Sequence, residues 1–302
     1  MLKIGIIGLG DIAQKAYLPI ISRKKVELHL YTRNEATLKQ IGEQYQLKNL
    51  HQSLEALIAS GITAAFVHAA TAAHYGIVEQ LLDSNIHVCV DKPVTCDYSS
   101  TEKLVRLAEK KGLVLSVGFN RRFAPAYRKL KELPDPNMII LQKNRKSLPG
   151  DVRAFVFEDF IHVVDTLLYL FPHPIKKMLV SGKKKGSMLY HIIVQLTSAD
   201  GASAIGIMNR DSGTIEEKIE VFTSSEKWVV RNVSDVVIHQ DKHAKRLADN
   251  DWESTLVKRG FDQMVDAFLQ AVSSPELSKT VGGDILATHK ICEEIVNELQ
   301  VI

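Results

Sequence analysis

Over the first 120 residues the spacing of apolar positions alternates between two periods. Short apolar runs at 3–8, 26–31, 64–68, 87–90 and 114–117 predict buried strands. Between them, apolar residues recur every three or four positions, which predicts helices near 11–22, 35–45, 53–60, 73–84 and 98–111. Asp83-Ser84-Asn85 and Lys111-Gly112 supply helix-ending turns. Repeated β–α units of this length predict a parallel, doubly wound sheet whose ligand lies at the carboxyl ends of its strands.

After residue 120 the pattern changes. A short helix at 125–133 precedes a Pro-Asp-Pro break at 134–136, a strand at 138–143 and a helical run at 158–171. Strand-like runs follow at 176–181, 188–197, 203–208, 218–223, 227–231 and 235–239, and two helices are expected at 255–273 and 283–299. Lys183-Lys184-Lys185 reads as a solvated hairpin turn. The fold class is therefore α/β plus α+β. Residues 1–119 form a doubly wound parallel domain. Residues 120–302 form a domain with a large, mostly antiparallel open sheet and helices on one side.

Composition narrows the function classes. A length of 302 residues accommodates two domains with their own cores. A net charge of +3 gives no basic face for nucleic acid or an anionic membrane. The three cysteines, Cys89, Cys96 and Cys292, have neither metal nor redox spacing, which fits a reducing, cytoplasmic compartment. No apolar run reaches membrane-spanning length, and the first strand begins too early for a secretory leader.

The chemistry begins at Gly8-Leu9-Gly10-Asp11-Ile12-Ala13, a G-x-G-x-x-A turn between a strand and a helix. Gly8 permits the tight turn, Gly10 lets backbone approach a pyrophosphate, and Ala13 lets the helix pack closely. The next strand ends in Tyr31-Thr32-Arg33-Asn34, with no acid to bind a ribose 2′-hydroxyl. Thr32, Arg33 and Asn34 suit a 2′-phosphate, so NADP is the expected cofactor, with NAD the alternative. Asp91-Lys92-Pro93 follows a buried strand, which puts Lys92 at the ligand edge, able to polarise a substrate oxygen. On an α-helix, Glu158, His162 and Asp165 share a face, a candidate proton carrier with supporting acids. Lys143 and Arg145 alternate on one strand side, and together could clamp a substrate carboxylate or phosphate. There is no candidate metal site.

In order and spacing, the glycine turn, Thr71-Ala72-Ala73-His74, Asp91-Lys92-Pro93, Gly118-Phe119-Asn120-Arg121-Arg122-Phe123 and the Glu158…His162…Asp165 run resemble the Gfo/Idh/MocA (glucose–fructose oxidoreductase/inositol dehydrogenase) family, and within it the MviM-like branch. The resemblance implies a Rossmann domain followed by an α+β domain. It also implies NAD(P)-dependent hydride transfer to or from a secondary alcohol or carbonyl of a sugar- or cyclitol-like substrate. By the same resemblance Lys92 and His162 are catalytic, with Glu158 at the position of the supporting acid and Asp159 beside it. The cofactor would be held by Gly8, Gly10, Asp11, Ile12, Ala13, Thr32, Arg33, Asn34, Ala70, Thr71, His74, Asp91, Lys92, Pro93 and Asn120. The family further implies a homodimer or higher homo-oligomer through the C-terminal sheet. The alternative is a non-catalytic NADP-binding regulator, against which the intact Lys92 and His162 weigh.

Overall fold

Ile4, Ile6 and Ile7 are all within 1% of complete burial, and they make β1 (Leu2–Ile7) the centre of a sheet covered on both faces. In the computed structural model, which describes residues 1–247, 252–274 and 285–301, this sheet has six strands. The others are β2 (Val26–Tyr31), β3 (Leu50–His51), β4 (Ala64–Val67), β5 (His87–Val90) and β6 (Leu115–Val117). All pairings are parallel, in the order β3-β2-β1-β4-β5-β6. The order reverses at β1, so the chain leaves β1 at the point where flanking crossovers diverge and a crevice opens. Helices cover both faces. Tyr98–Lys111 has the expected bounds, with the Asp97 carboxylate accepting from the Ser100 N–H at its start.

The first helix departs from expectation. Ala13–Tyr17 is a wider π-turn, closed by the Leu18 N–H donating to the Ala13 carbonyl, and only Leu18–Ile21 is regular α-helix. Pro19 is the physical reason: it has no N–H to give to the carbonyl four residues back, and its ring crowds that carbonyl.

The chain falls into two compact units: Met1–Gly118 with Phe261–Leu286, and Phe119–Gly260 with Ala287–Ile302. The division expected at residue 119 omits this return. Helix Phe261–Ser273 belongs to the first unit because its apolar face, Met264, Val265, Phe268 and Ala271, is buried there. Phe268 meets the Phe66 ring edge-on at 4.9 Å, and Lys24 pairs with Asp266 at 2.7 Å and Asp262 at 3.3 Å.

Among the described residues the second unit carries a nine-stranded open sheet. Its strands are β7 (Met138–Asn144), β8 (Gly150–Asp151), β9 (Ile175–Lys185), β10 (Met188–Ser198), β11 (Ser203–Asn209), β12 (Glu216–Phe222), β13 (Lys227–Arg231), β14 (Asp235–Gln240) and β15 (His243–Arg246). The order is β15-β14-β13-β12-β7-β11-β10-β8, with β9 also on β10; β7 and β11 are parallel and the rest antiparallel. Helix Ile161–Leu170 packs on β11 and β7.

Three further expectations change. Lys183-Lys184-Lys185 is strand, not turn: β9 runs on through Lys185, and the reversal falls at Gly186. Alternate lysines suit an outer strand with one wet face, and Lys184 is anchored by donating to the Leu299 carbonyl at 2.7 Å. The helical run expected at 158–171 begins as a π-turn, Phe155–Phe160, and becomes α-helix only at Ile161. The single helix expected at 255–273 breaks into Thr255–Lys258 and Phe261–Ser273. Gly260 sits at the break with φ +80°. Of the last expected helix, the start at Gly283 lies outside the described residues; Ile285–Val301 is helical.

Gly260 and Gly186, both left-handed residues of the second unit, separate two costs. A Cβ on Gly186 would meet nothing within 4 Å, whereas on Gly260 it would lie 2.3 Å from the Asn120 carbonyl oxygen and 2.4 Å from the Ala124 nitrogen. Gly186→Ala should cost about 1–2 kcal/mol of stability for the conformation alone. Gly260→Ala should cost a further ~1–3 kcal/mol for the overlap. Equal shifts in thermal unfolding would refute this.

Candidate functional site

At the carboxyl ends of β1, β2 and β4 lies a cavity of about 390 Å³. Gly8, Leu9 and Gly10 form one wall, Tyr31, Thr32 and Arg33 another, and His68, Ala69 and Ala70 the third. Gly8 is fixed by geometry: its φ is +84°, and a Cβ would lie 2.6 Å from the Ala69 nitrogen. Its N–H donates to the Tyr31 carbonyl at 2.9 Å, while the His68 N–H donates to the Ile7 carbonyl at 2.7 Å, so the turn is stitched to both neighbouring strands. A Cβ on Gly10 would meet no atom within 4 Å, which leaves its backbone approachable by a ligand. Among the described residues no acidic side chain lines this cavity.

Sequence reasoning missed two polar rings, one lining the cavity and the other packed against it. His68 is 6% exposed, and neither ring nitrogen has a hydrogen-bond partner among the described residues. Burial, helped by nearby His74, pushes its pKa down to about 3, so the ring is neutral at ordinary pH. It lies 3.9 Å from the ring of Tyr17, whose buried hydroxyl is also without a partner. Leaving such groups unpaired costs about 1–3 kcal/mol each, which a polar ligand in the cavity would relieve at His68. The available signal was a histidine closing an otherwise apolar strand.

The remaining expected cofactor residues divide by environment. Asn34 spends its carboxamide oxygen accepting from the Thr37 N–H at 3.0 Å, as a helix cap. Asp11 is exposed and paired with Lys15. Ile12 is half-buried, and Ala13 is fully buried at the start of the π-turn. Thr71 opens the helix Thr71–Asp83, and buried His74 follows in its first turn. The ring nitrogens of His74 lie 2.9 Å from the carbonyl oxygens of Pro93 and Ala69, so it clasps two loops and does not line the cavity. Asp91 accepts from the Lys92 N–H at 3.0 Å. Burial raises the Asp91 carboxyl, opposed by the Lys92 ammonium. Lys92 is half-buried, Pro93 is buried, and the bond between them is cis. Asn120 belongs to the second unit and donates to the Arg259 carbonyl at 2.8 Å.

The second unit concentrates charge on the helix side of its sheet. Lys143 and Glu217 are cross-strand neighbours on β7 and β12, and both are buried. Glu217 takes a two-pronged bond from Arg121, at 2.7 and 2.6 Å, and a third from the Tyr127 hydroxyl at 3.0 Å. Lys143 donates to Asp159, which also receives Arg145 through two bonds of 3.1 Å. Burial alone would raise the Asp159 carboxyl, but Lys143 and Arg145 hold it well below the usual carboxylate range. Burial would likewise raise Glu217, yet Arg121 pulls it down to about 2. Burial and Arg121 push the Lys143 ammonium down to about 8, against the attraction of Asp159 and Glu217.

The shared face expected for Glu158, His162 and Asp165 presumes a continuous α-helix; the π-turn removes that premise for Glu158, while His162 and Asp165 stay one turn apart on Ile161–Leu170. Glu158 is exposed, Asp159 is buried among cations, and His162 is half-buried. Asp165 is 1% exposed, held by Arg122 at 2.7 Å and by the Thr288 hydroxyl at 3.3 Å. Lys143 and Arg145 do project together, as alternation predicts, but onto Asp159. Among the described residues no cluster of histidine, cysteine or acid could hold a metal ion.

Glu217 yields a pH prediction. Its folded pKa lies below the unfolded value of about 4.3, so its pairing stabilises the fold above that pH and is lost as pH falls toward 2. Glu217→Gln strands Arg121 and should cost about 3–5 kcal/mol at neutral pH. The gap between wild type and variant in urea unfolding should narrow below about pH 4.5. A gap independent of pH would refute the assignment.

Comparison with known proteins places this geometry. A family model described as "Oxidoreductase family, NAD-binding Rossmann fold" matches residues 2–119, and a "YceM-like, C-terminal domain" matches residues 125–241. YceM of Salmonella typhimurium, named as an oxidoreductase, is 33% identical over 97% of each chain. The structure of a Gfo/Idh/MocA family oxidoreductase from Vibrio cholerae superposes with a TM-score of 0.92 at 30% identity, covering 100% of this chain and 99% of that one. A dehydrogenase (MviM) from Clostridium difficile gives 0.92 at 28% identity, covering 98% and 99%.

Proposed function

The chain belongs to the Gfo/Idh/MocA family of NAD(P)-dependent oxidoreductases, and we propose that it prefers NADP and acts on a sugar- or cyclitol-like secondary alcohol or its ketone. One observation carries the cofactor preference. Thr32 and exposed Arg33 line the same cavity as Gly8 and Gly10, and no carboxylate among the described residues shares it. A 2′-phosphate there would meet a guanidinium instead of like charge. The glycine turn, the open side of Gly10 and the unpartnered His68 ring fit a dinucleotide.

Bound nicotinamide supplies the hydride chemistry. In oxidation, His162 takes the hydroxyl proton and Lys92 stabilises negative charge developing on the substrate oxygen. Both Asp159 oxygens are held by Lys143 and Arg145, and Asp165 is held by Arg122 and Thr288. This supports Glu158 as the acid that works with His162. The second unit's open sheet face carries half-exposed Ile140, Ile205 and Ile207, with Leu179 50% and Ile193 39% exposed. It is the surface through which a second copy would pair. Cys89, Cys96 and Cys292 form no disulfide, in keeping with a reducing, cytoplasmic compartment, and no described helix is long and apolar enough to cross a membrane.

Fluorescence titration with reduced cofactors tests the preference. Arg33→Ala should weaken NADPH by about 1.5–3 kcal/mol and leave NADH nearly unchanged. Equal losses, or tighter binding of NADH by the wild type, would overturn it. For the proton step, His162→Ala should retain NADPH affinity and lower turnover of a ketose or inosose by about 10²-fold or more. Undiminished turnover would remove His162 from catalysis.

A further inference from the structure

Arg210 is the unusual member of the charged cluster. Its side chain is 13% exposed and its Nε is enclosed, yet the guanidinium makes no hydrogen bond among the described residues. Its nearest carboxylate oxygen, Asp159 Oδ2, is 4.0 Å away and already accepts from Arg145 Nε. The guanidinium lies 4.8 Å from the Phe155 ring centroid, and its backbone is fixed by bonds to the Tyr190 carbonyl and from the Leu148 N–H. On its other side is Gly150, where a Cβ would come within 3.2 Å of Nη1. The Arg210 Nη atoms, unlike Nε, are not wholly enclosed, and they stay without a hydrogen-bond partner among the described residues on a largely buried positive charge.

Arg145 stands beside it. Asp159 engages Nε and Nη2 of Arg145, and Nη1 points elsewhere in a side chain that is 38% exposed. Across the whole cluster, Arg121, Lys143, Arg145 and Arg210 face two buried carboxylates, Asp159 and Glu217, with exposed Glu158 near Arg210. Positive charge remains in excess. A guanidinium with five donors in a fixed fork and no acceptor matches a planar or tetrahedral oxyanion better than any neutral group.

We infer that Arg210 and Arg145 form a receptor for an anionic substituent of the substrate, a carboxylate or a phosphate. The inference rests on the oxidoreductase reading for the identity of its ligand as substrate. Asp159 then acts as the positioning residue that holds Arg145 and Lys143, and lies three residues from His162 on the same segment.

Binding can be read without cofactor or turnover, by calorimetric titration with glucuronate, glucose 6-phosphate and glucose. At least one of the anions should bind about 10-fold or more tighter than glucose, and more weakly as salt rises. Which anion binds separates carboxylate from phosphate recognition. Arg210→Gln should lose about 10-fold or more of that affinity, and Arg246→Gln, on the exposed β15, should lose none. Where Arg210→Gln loses native melting, Arg145→Gln carries the same test. Neither anion surpassing glucose, or unchanged anion affinity in a natively folded variant, overturns the receptor. Anion binding without turnover of any carbonyl substrate would overturn the oxidoreductase reading and leave the receptor standing. Turnover of neutral sugars without anion binding would do the reverse.

Discussion

Charge held away from water is the constraint around which the second unit is organised. An ionised group loses several kcal/mol of solvation on burial, and the loss is recovered only when opposite charge and hydrogen-bond donors arrive together in good geometry. Lys143 and Glu217 lie side by side on the inner face of the sheet. They require Arg121 from the segment before β7, Tyr127 from the following helix, and Asp159 from the π-turn. Each arrives on a different element, so those elements share one acceptable arrangement. The first unit solves the opposite problem. There burial keeps His68 neutral, and the polarity of its ring is offered to the cavity and spent on no internal partner.

Much of the architecture was legible because it is local. The five long strands of the first sheet, the helix Tyr98–Lys111 and the antiparallel series of the second unit follow from apolar period and turn residues. The two-residue β3 and the exposed β15 escaped notice because neither has an apolar signature; pairing with a neighbour makes them strands. The lysines of β9 were misread for a related reason. A run of like charges resembles a turn until the wet face of an outer strand is considered. The two π-turns and the break at Gly260 depend on backbone bonding and on atoms distant in sequence, which periodicity does not encode.

The sites were legible to different depths. Gly8 and Gly10 could be read because their roles are steric and sequential, and the missing acid after β2 could be read by spacing. The acids near His162 could not be apportioned from spacing, since an inserted turn changes which face each side chain meets. Arg210 carries no motif. It acquires meaning only through Phe155, Gly150 and the prior occupation of Asp159.

The return of Phe261–Ser273 to the first unit has a consequence for how the chain is made. The pair Phe66–Phe268 joins residues about two hundred positions apart, and Lys24 waits longer still for Asp262 and Asp266. The main part of the second unit, Phe119–Gly260, is thus inserted within the first, and its last segment, Ala287–Ile302, follows. On a ribosome the parallel sheet emerges first but lacks the helix that seals one of its faces until nearly the whole chain has been synthesised. Closing so long a loop through a flexible chain is a slow route to a contact, and prior compaction of the inserted segment shortens the distance to be searched. The nucleotide-binding half is therefore begun first but completed only after most of the second unit has been synthesised.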